Sequence, residues 1–334
     1  MAKYETDGTK YVPVEERWGN ESIVYFTRDL SPEGIKKVYE KVNANITGKV
    51  GVKLHTGEPH GPNIIPSSWV KEFMSDELPD ASIIETNVYY DDGKRHTTEL
   101  HRETLKVNGW TFCPVDILDE EGTTYFPVKG AKWIPEISVG GHLPNYDSLL
   151  ILTHFKGHVI GGFGGSNKNI GIGCADGKIG KGQIHANEID RFGVEEEELM
   201  EKITESTKGT LDHFGKNISY INVMRNMSVS CDCEGLNALP VVTPNVGILA
   251  STDILAVDQA CVDIIFAMKE EENADMVERI TSRHGLRQLS YMKELGMGND
   301  KYIMIDLDND GALMTPADAV VDLKPFQAIP SIKA

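Results

Sequence analysis

Basic side chains that can carry proton-transfer or anion chemistry cluster in residues 153–175. His154 and His158 lie on either side of Lys156, and Lys168 follows a glycine-rich run. Imidazole titrates near neutral pH and can exchange protons with a substrate, and a lysine can bind an anion or attach a cofactor. These four side chains are therefore predicted to be catalytic. A glycine-rich turn that carries surface histidines and lysines is the structural alternative.

The glycines of the same segment favour a backbone that binds a ligand. Glycine adopts backbone conformations that are closed to other residues, and successive free N–H groups can surround an anion. We expect residues 161–182 to be a loop that carries function. Its predicted cofactor-binding positions are Gly161, Gly162, Gly164 and Gly165.

A second group of reactive side chains is the pair Cys231 and Cys233. In an extended chain alternate residues share a face, so both sulfurs could bind one metal ion. Thiolates select soft ions such as zinc, iron or nickel, and a closed site needs further ligands, for which His185 and Cys174 are candidates. Two unligated thiols in a loop are the alternative. The sequence has no Cys-x-x-Cys-x-x-Cys run, which excludes a ferredoxin-type cluster domain.

Short apolar segments that alternate with helical patterns must position these groups. Strands are predicted near residues 22–26, 49–54, 81–86, 115–118, 136–139, 148–152, 218–223, 246–250 and 302–305, and helices near 32–42, 67–74, 98–107, 195–214, 257–268 and 274–281. This alternation predicts an α/β fold with a mostly parallel sheet and helices on both faces. We expect an amino-terminal arm over 1–20 and one domain over 21–334, which could divide into lobes 21–175 and 176–334 around a cleft.

Polar residues follow most of the predicted strands, at the ends where parallel sheets bind ligands. His55, Asn87 and Asp253 come after three of these strands and are predicted to bind a cofactor. We also expect the ends of strands 148–152 and 246–250 to open onto one cleft. Asp253 precedes a helical pattern as well, so capping of that helix is its alternative role.

The composition restricts the class of protein and of partner. The 334 residues include 51 acidic and 33 basic side chains, which gives a formal net charge of −18. This charge repels nucleic acid and anionic lipid, and no apolar run approaches the roughly 20 residues that span a bilayer. The first residues lack the apolar core of a signal peptide, and the odd number of cysteines, five, disfavours a disulfide framework. We therefore expect a cytoplasmic protein.

Several long segments resemble the domain-of-unknown-function family 362, whose members are often labelled uncharacterised iron–sulfur centre proteins. The resemblance covers most of the chain and is carried by GVKLHTGEP (51–59), ETN (85–87), THFKGHVIGGFGGSNKNIGIGCA (153–175), YINVMRNMSVSCDCEG (220–235) and GILASTDILAVDQACVD (247–263). Many members carry a two-cluster ferredoxin insert after the glycine-rich segment, whereas residues 185–197 of this chain contain no cysteine. The resemblance implies a metal or iron–sulfur centre and no particular reaction.

The spacing of His158, the glycines and Lys168 is also similar to the active-site segment of the lactate racemase family. This second resemblance covers one short segment. It implies an acid–base role for His158 and attachment of a nickel-pincer nucleotide to Lys168. It also implies nickel binding by His185, which follows at about the expected distance.

These features predict an enzyme, an oxidoreductase or an isomerase, that uses a metal ion or an iron–sulfur cluster on a small anionic substrate. A nickel-pincer racemase or epimerase of a 2-hydroxy acid is the first alternative. A non-catalytic protein that binds a metal or cofactor, or that serves a redox partner protein, is the second alternative.

Overall fold

The central element of the computed structural model, which describes residues 10–331, is a nine-stranded sheet. The strands of the molecule are β1 (Ser22–Thr27), β2 (Val50–Lys53), β3 (Ser82–Glu85), β4 (Val115–Ile117), β5 (Thr123–Pro127), β6 (Glu136–Gly140), β7 (Ser148–His154), β8 (Lys156–His158), β9 (Gly162–Gly164), β10 (Ile218–Met224), β11 (Gly247–Ser251), β12 (Tyr302–Asp306) and β13 (Ala312–Met314). The order in the central sheet is β13-β12-β1-β11-β10-β7-β2-β3-β4, and β5 with β6 and β8 with β9 form two separate pairs.

Helices follow most of the central strands. They are α1 (Pro32–Tyr39), α2 (Ser67–Glu77), α3 (Thr98–Val107), α4 (Ser166–Gly173), α5 (Gly180–His185), α6 (Glu196–Phe214), α7 (Ile254–Ala267), α8 (Glu270–Ser282), α9 (Arg287–Glu294) and α10 (Pro316–Ala319). The start of α1 shows how the sequence sets these boundaries. Ser31 accepts the N–H of Gly34, and Pro32, which lacks an N–H of its own, opens the first turn.

Five of the eight strand pairings in the central sheet are parallel, which confirms the predicted mostly parallel α/β fold. β11, however, runs antiparallel to both of its neighbours, β1 and β10. β10 is parallel to β7, so the carboxyl ends of β11 and β7 lie at opposite edges of the sheet. The prediction that strands 148–152 and 246–250 open onto one cleft is therefore wrong.

Side chains of β7 alternate between two apolar cores, one on each face of the sheet. Leu149 and Ile151 pack into the core formed with α4, α6 and α7, and Leu150 and Leu152 pack into the core formed with α1 and α2. Every residue of β7 is buried. The residues that follow β7 are consequently held in place by both helical layers.

The glycine-rich residues 161–182 are largely regular structure, so the prediction of a loop is wrong. They contain all of β9 and α4 and the start of α5. Tertiary contacts compensate for the low helix propensity of glycine in α4. Asp258 accepts the first two N–H groups of the helix. A Cβ on Gly171 would lie 2.4 Å from the carbonyl oxygen of Ile203, so the glycine is what lets α6 approach.

The described part of the predicted amino-terminal arm packs against α7. Arg17 forms an ion pair with Asp263 at 2.6 Å, and the ring of Tyr11 stacks on Phe266 at 4.2 Å. Residues 1–9 of the predicted arm lie outside the described residues.

One sheet includes strands from both predicted lobes, since β7 pairs with β10. Across residues 10–331, no helix combines the length and the apolar character needed to cross a bilayer.

Candidate active site

A cavity of about 200 Å³ lies at the carboxyl ends of β2, β3 and β7. α4, α5 and the segment after β10 contribute its other walls. Most of the residues that the sequence singled out line this cavity: His55, His154, Lys156, His158, Gly164, Gly165, Lys168, His185, Cys231 and Cys233. The parallel strands thus bring together side chains from four separate parts of the chain.

Four predicted cofactor-binding residues do not line the cavity: Asn87, Gly161, Gly162 and Asp253. Asp253 follows the reversed strand β11 and lies at the other edge of the sheet, where its side chain accepts the N–H of Ala256 and caps α7. This is the capping role expected as its alternative. The side-chain amide of Asn87 donates to the hydroxyl of Thr98, and the backbone carbonyl oxygen of Asn87 accepts from Lys181.

The glycine-rich backbone directs its N–H groups to protein acceptors rather than to the cavity. The N–H of Gly161 donates to Nδ1 of His158 at 3.0 Å, and Asp258 occupies the amino end of α4. Gly162 has a φ of +74°, and a Cβ there would lie 2.7 Å from the Cα of Gly285. The glycines therefore permit a tight turn and close packing, and the predicted anion-binding nest is not formed by these groups.

Cys231, Cys233 and His158 form one compact group at the cavity wall. One ligand atom from each lies within 4.8 Å of the other two. The hydrogen bond with Cys233 lowers the pKa of Cys231 well below its usual value, and His158 adds to this effect against the opposing effect of burial. The same hydrogen bond, together with burial, raises the pKa of Cys233 well above its usual value. The pair therefore favours one thiolate and one thiol.

Asp232, which lies between the two cysteines, contacts basic side chains at the end of β7 and the start of β8. Its carboxylate lies 2.8 Å from Nδ1 of His154 and 3.2 Å from Nζ of Lys156. Burial alone would raise the pKa of Asp232, but His154 and Lys156 outweigh it and hold the pKa well below the usual range. Nε2 of His154 donates to the carbonyl oxygen of Arg225 at 2.6 Å. His154 and Lys156, both predicted to be catalytic, thus position the segment that carries the cysteines.

The two sulfurs meet across a turn. A 3-10 helix, Asp232–Asn237, begins directly after Cys231. The sequence-based expectation was that both sulfurs would share one face of an extended chain. The turn brings the same two atoms together by a different local geometry, and Asp232 holds that turn in place through its contacts with His154 and Lys156.

Two imidazoles, those of His55 and His158, lie beside the sulfur of Cys231. Nδ1 of His158 accepts the N–H of Gly161, and Nδ1 of His55 accepts the N–H of Gly57, each at 3.0 Å. A ring nitrogen that accepts an N–H carries no proton, so in the neutral rings Nε2 carries it. Nε2 of His55 lies 3.9 Å from the sulfur of Cys231, and His158 bonds to the same sulfur. These donors stabilise a thiolate.

Lys168 and His185 face the cavity without a hydrogen-bond or ion-pair partner among residues 10–331. Burial lowers the pKa of Lys168. Burial, followed by the charge of Lys168, lowers the pKa of His185 to about 3 and that of His158 to about 4. Both imidazoles are therefore neutral at pH 7. The negative charge with the largest effect on Lys168 is that of Cys231, which raises the pKa of the lysine against the effect of burial, and no carboxylate of residues 10–331 pairs with it.

A buried network of ion pairs forms the inner wall. Nζ of Lys53 lies 2.7 Å from the carboxylate of Glu85, and Nε of Arg95 lies 2.9 Å from that of Glu58. A second nitrogen of Arg95 lies 3.9 Å from Glu85. Burial would raise the pKa of Glu85, but Lys53 and Arg95 outweigh it and keep the pKa far below the usual range. Both cations of this wall are thus already paired.

Residues 50–263 match the model of the family described as Domain of unknown function (DUF362), which is more than half of the chain. The chain belongs to DUF362. The match spans the cavity-lining residues of this DUF362 protein from Lys53 to Cys233 and confirms the family predicted from the sequence. No curated protein matches the chain.

Two solved structures are similar to this DUF362 protein at low scores. The lactate racemase apoprotein from Thermoanaerobacterium thermosaccharolyticum has 12% sequence identity and a TM-score of 0.37, with 97% of each chain covered. A Thermotoga maritima protein solved by structural genomics has 12% identity and a TM-score of 0.39, with 58% of this chain and 50% of that chain covered. Neither comparison assigns a reaction to the DUF362 protein.

Sequence analysis missed four charged residues of this cavity: Lys53, Glu85, Arg95 and Lys181. Two of them carried a usable signal, since Lys53 and Glu85 end the apolar segments of neighbouring strands, β2 and β3. Buried charges need partners, so an ion pair between these two ends was predictable. Lys181 carried no such signal, because it donates to Thr86 and to backbone carbonyl groups. Burial lowers the pKa of Lys181 to about 8.

Proposed function

We propose that this DUF362 protein is an enzyme that binds a soft metal ion through Cys231 and Cys233 and acts on a small organic anion. The observation that carries the proposal is the grouping of His158 with both cysteines at the cavity wall. Two sulfurs and one neutral imidazole are donors that zinc, iron and nickel accept. Three protein ligands leave one coordination position for a substrate, which is the arrangement of catalytic rather than structural metal sites.

The anion would bind beside Lys168. Three other cations of the cavity already have carboxylate partners: Lys53 with Glu85, Arg95 with Glu58, and Lys156 with Asp232. Lys168 has no acidic partner within the described chain and faces the same cavity as the cysteines. A carboxylate there would be held next to the open position of the metal.

His185 is the candidate for proton transfer. Its ring has no hydrogen-bond partner in the structure described, and burial and the charge of Lys168 keep its pKa low, at about 3. An anion bound by Lys168 would offset that charge and raise the pKa of His185 towards neutral pH, where imidazole exchanges protons most effectively. In the sequence-based prediction His158 transferred the proton and His185 bound the metal; the position of His158 beside the sulfurs favours the exchanged roles.

Metal binding at His158 would change the hydrogen bonding of its ring. Nε2 carries the proton while Nδ1 accepts the N–H of Gly161. If Nε2 of His158 held the metal, its proton would lie on Nδ1 instead, and the N–H of Gly161 would lose its acceptor. Metal uptake would also release the proton of the Cys233 thiol, because the metal binds the thiolate form.

These tautomers favour a second candidate, in which Cys231 reacts as a thiolate nucleophile without a metal. His55 directs Nε2 to its sulfur and His158 also bonds to that sulfur, and N–H donors of this kind stabilise the reactive form of a cysteine. In a redox form of this candidate, the Cys231 thiolate and the Cys233 thiol give two electrons and their one proton to an oxidised substrate, which takes its second proton from solvent, and form a disulfide. A dithiol protein or a small thiol would then return the pair to the reduced form.

Metal analysis with thiol alkylation on anaerobically purified protein tests the proposal. We expect about one zinc, iron or nickel ion per chain, lost in Cys231→Ser and in Cys233→Ser. Cys113→Ser is the matched control and should retain the metal, because Cys113 does not line the cavity. Iodoacetamide should label Cys231 slowly until a chelator removes the ion.

The opposite outcome identifies the second candidate. Metal-free wild-type protein whose Cys231 is alkylated much faster than Cys113 at neutral pH would contradict the metal proposal and support the thiolate. Slow labelling together with no metal would contradict both. Intact mass tests the nickel-pincer alternative on the same sample, since a nucleotide attached to Lys168 adds its own mass to the chain.

A further inference from the structure

The lining of the cavity contains two chemically different sets of side chains. One set is charged or sulfur-containing and includes Lys168 and Cys231. The other set is apolar or aromatic: Val88, Tyr89, Val159, Ile160, Ile172 and Phe192. A small hydrophilic anion would use only the first set.

Tyr89, His185 and Phe192 form one continuous aromatic wall. The ring centroids of Tyr89 and Phe192 are 5.2 Å apart, and those of His185 and Phe192 are 5.6 Å apart. Tyr89 and His185 are nearly parallel at 6.1 Å. Aromatic rings at these separations pack favourably, so the wall is a preformed apolar surface.

The segment 187–193 places Phe192 at the cavity mouth. Oδ1 of Asn187 accepts the N–H groups of Ile189 and Asp190, so the segment closes on itself. Arg191 ties it to the body through an ion pair with Asp91 at 2.5 Å. Phe192 remains 46% exposed although it lines the cavity, and Ile160, which also lines it, is 42% exposed. Large apolar side chains exposed beside a cavity are typical of a ligand-binding surface.

The size of the cavity also exceeds the needs of a small anion. A water molecule in the liquid takes up about 30 Å³, so about 200 Å³ holds on the order of seven waters. A three-carbon acid would displace only a few of them. On α4, Lys168 and Ile172 are one turn apart, so an anion at Lys168 has apolar surface within about 6 Å along the helix.

We propose that the ligand of this site is a monocarboxylate that carries an aromatic or similarly bulky apolar group. Its carboxylate pairs with Lys168, and its apolar group packs against Phe192 and Tyr89. A single carboxylate suits Lys168, which has no carboxylate or hydrogen-bond partner among the described residues, whereas the three hydrogens of the other lysine without a carboxylate, Lys181, already bind Thr86, Asn87 and Ala175. This assignment rests on the proposed function and names the substrate class of that same site.

Binding of two acids of equal charge tests the inference by calorimetry on the full chain as purified. 3-Phenylpropanoate should bind at least tenfold more tightly than propanoate, because burial of a phenyl group is worth that factor or more. Phe192→Ala should weaken 3-phenylpropanoate about tenfold and leave propanoate unchanged. Ile189→Ala is the matched control, since Ile189 is on the same segment, is 96% exposed and does not line the cavity; both acids should bind it as they bind the wild type.

The outcomes separate this inference from the proposed function. Lys168→Met should weaken both acids by the same factor, and Lys168→Arg, which keeps the charge, should restore them. If both acids bind wild-type protein equally and depend on Lys168, the substrate class is wrong and the anion site stands. If neither acid binds, or if Lys168→Met changes nothing, the anion site itself is refuted. Thermal melting of each variant shows that it is folded.

Discussion

The carboxylate of Glu85 joins the ends of two neighbouring strands. It pairs with Lys53 at 2.7 Å and accepts both the N–H and the hydroxyl of Thr56 at 2.9 and 2.8 Å. All of these groups are buried. If Lys53 lost this partner, the cost of burying its charge would no longer be compensated. The contribution of Glu85 can therefore be measured as a change in the free energy of unfolding.

Glu85→Gln preserves the shape of the side chain and removes its charge. We expect a loss of about 3–5 kcal/mol in the free energy of unfolding at pH 7, measured with urea, because Lys53 remains buried without a counter-ion. The folded-state pKa of Glu85 is below its unfolded value, so its stabilisation is complete above about pH 4.3 and is lost as the pH falls towards the folded value. The difference between wild type and variant should therefore shrink below about pH 4.

Glu120→Gln is the control for this substitution. Glu120 pairs with Arg102 at 2.5 Å, but both side chains are partly exposed, and surface pairs contribute only about 0–1 kcal/mol. Equal losses in the two variants, or a loss at Glu85 that does not change between pH 7 and pH 3, would contradict the account of the inner wall.

The reactive residues of the candidate site were easier to predict from the sequence than the residues that position them. His158, Lys168 and the two cysteines are residue types whose reactivity is readable without coordinates, and the structure places all four in one cavity. The partners of His154 and the burial of Lys53 depend on chain segments far away in sequence. Such pairings cannot be deduced from local pattern, because they require the strand order.

At the scale of elements, β8 packs directly on the chain that leads to the cysteines. The N–H of Gly157 donates to the carbonyl oxygen of Ser228 at 2.8 Å. A Cβ on Gly157 would lie 2.5 Å from the Cα of Val229, which is closer than such atoms approach in folded proteins. Gly157 therefore sets the distance between His158 and Cys231.

Gly157→Ala should push residues 228–229 away and separate the sulfur of Cys231 from His158. We expect the metal content to fall to less than a tenth of an ion per chain, with a loss of stability of about 1–3 kcal/mol and an unchanged circular dichroism spectrum. Gly164→Ala is the control on the paired strand, because its Cβ would meet only the flexible Nζ of Lys156, at 3.7 Å. Full metal content in Gly157→Ala would show that β8 does not set this distance.

All nine strands that were predicted from the apolar pattern of the sequence are present in the structure. The pattern did not predict the direction of each strand in the sheet, nor the short elements. The reversed strand β11 had one local signal: no helix is predicted between β10 and β11, and parallel neighbours require a long crossover connection. α4 had none, since its glycines disfavour a helix in isolation. α4 forms because Asp258 caps its amino end and because Gly171, which has no side chain, lets α6 pack closely against it.

At the scale of the whole molecule, an acidic chain encloses a cavity whose lining is rich in cationic side chains. The chain carries a formal net charge of −18, yet five lysine and arginine side chains line the cavity. A distant anion meets the field of the whole protein first and that of the cavity only within about a Debye length, which falls from about 30 Å at 0.01 M salt to about 8 Å at 0.15 M.

This contrast predicts an unusual salt dependence for reagents that reach Cys231. In chelator-treated protein, the alkylation rate by the anion iodoacetate should rise several-fold between 0.01 and 0.15 M salt, because screening weakens the repulsion by the protein surface. Iodoacetamide, the neutral reagent of the same size, is the control and should react at a constant rate. A rate for iodoacetate that falls with salt would mean that the cavity cations govern the encounter.

The segment 187–193 has a consequence for how such a protein can diversify. Its internal hydrogen bonds through Asn187 make it a self-contained module inserted between α5 and α6, outside the central sheet. Exchange of this module would alter the aromatic wall through Phe192 while the cysteines and Lys168, which lie on other elements, keep their positions. Selection, or an engineer who grafts segments of other lengths, can therefore change which molecules are accepted without rebuilding the reactive centre.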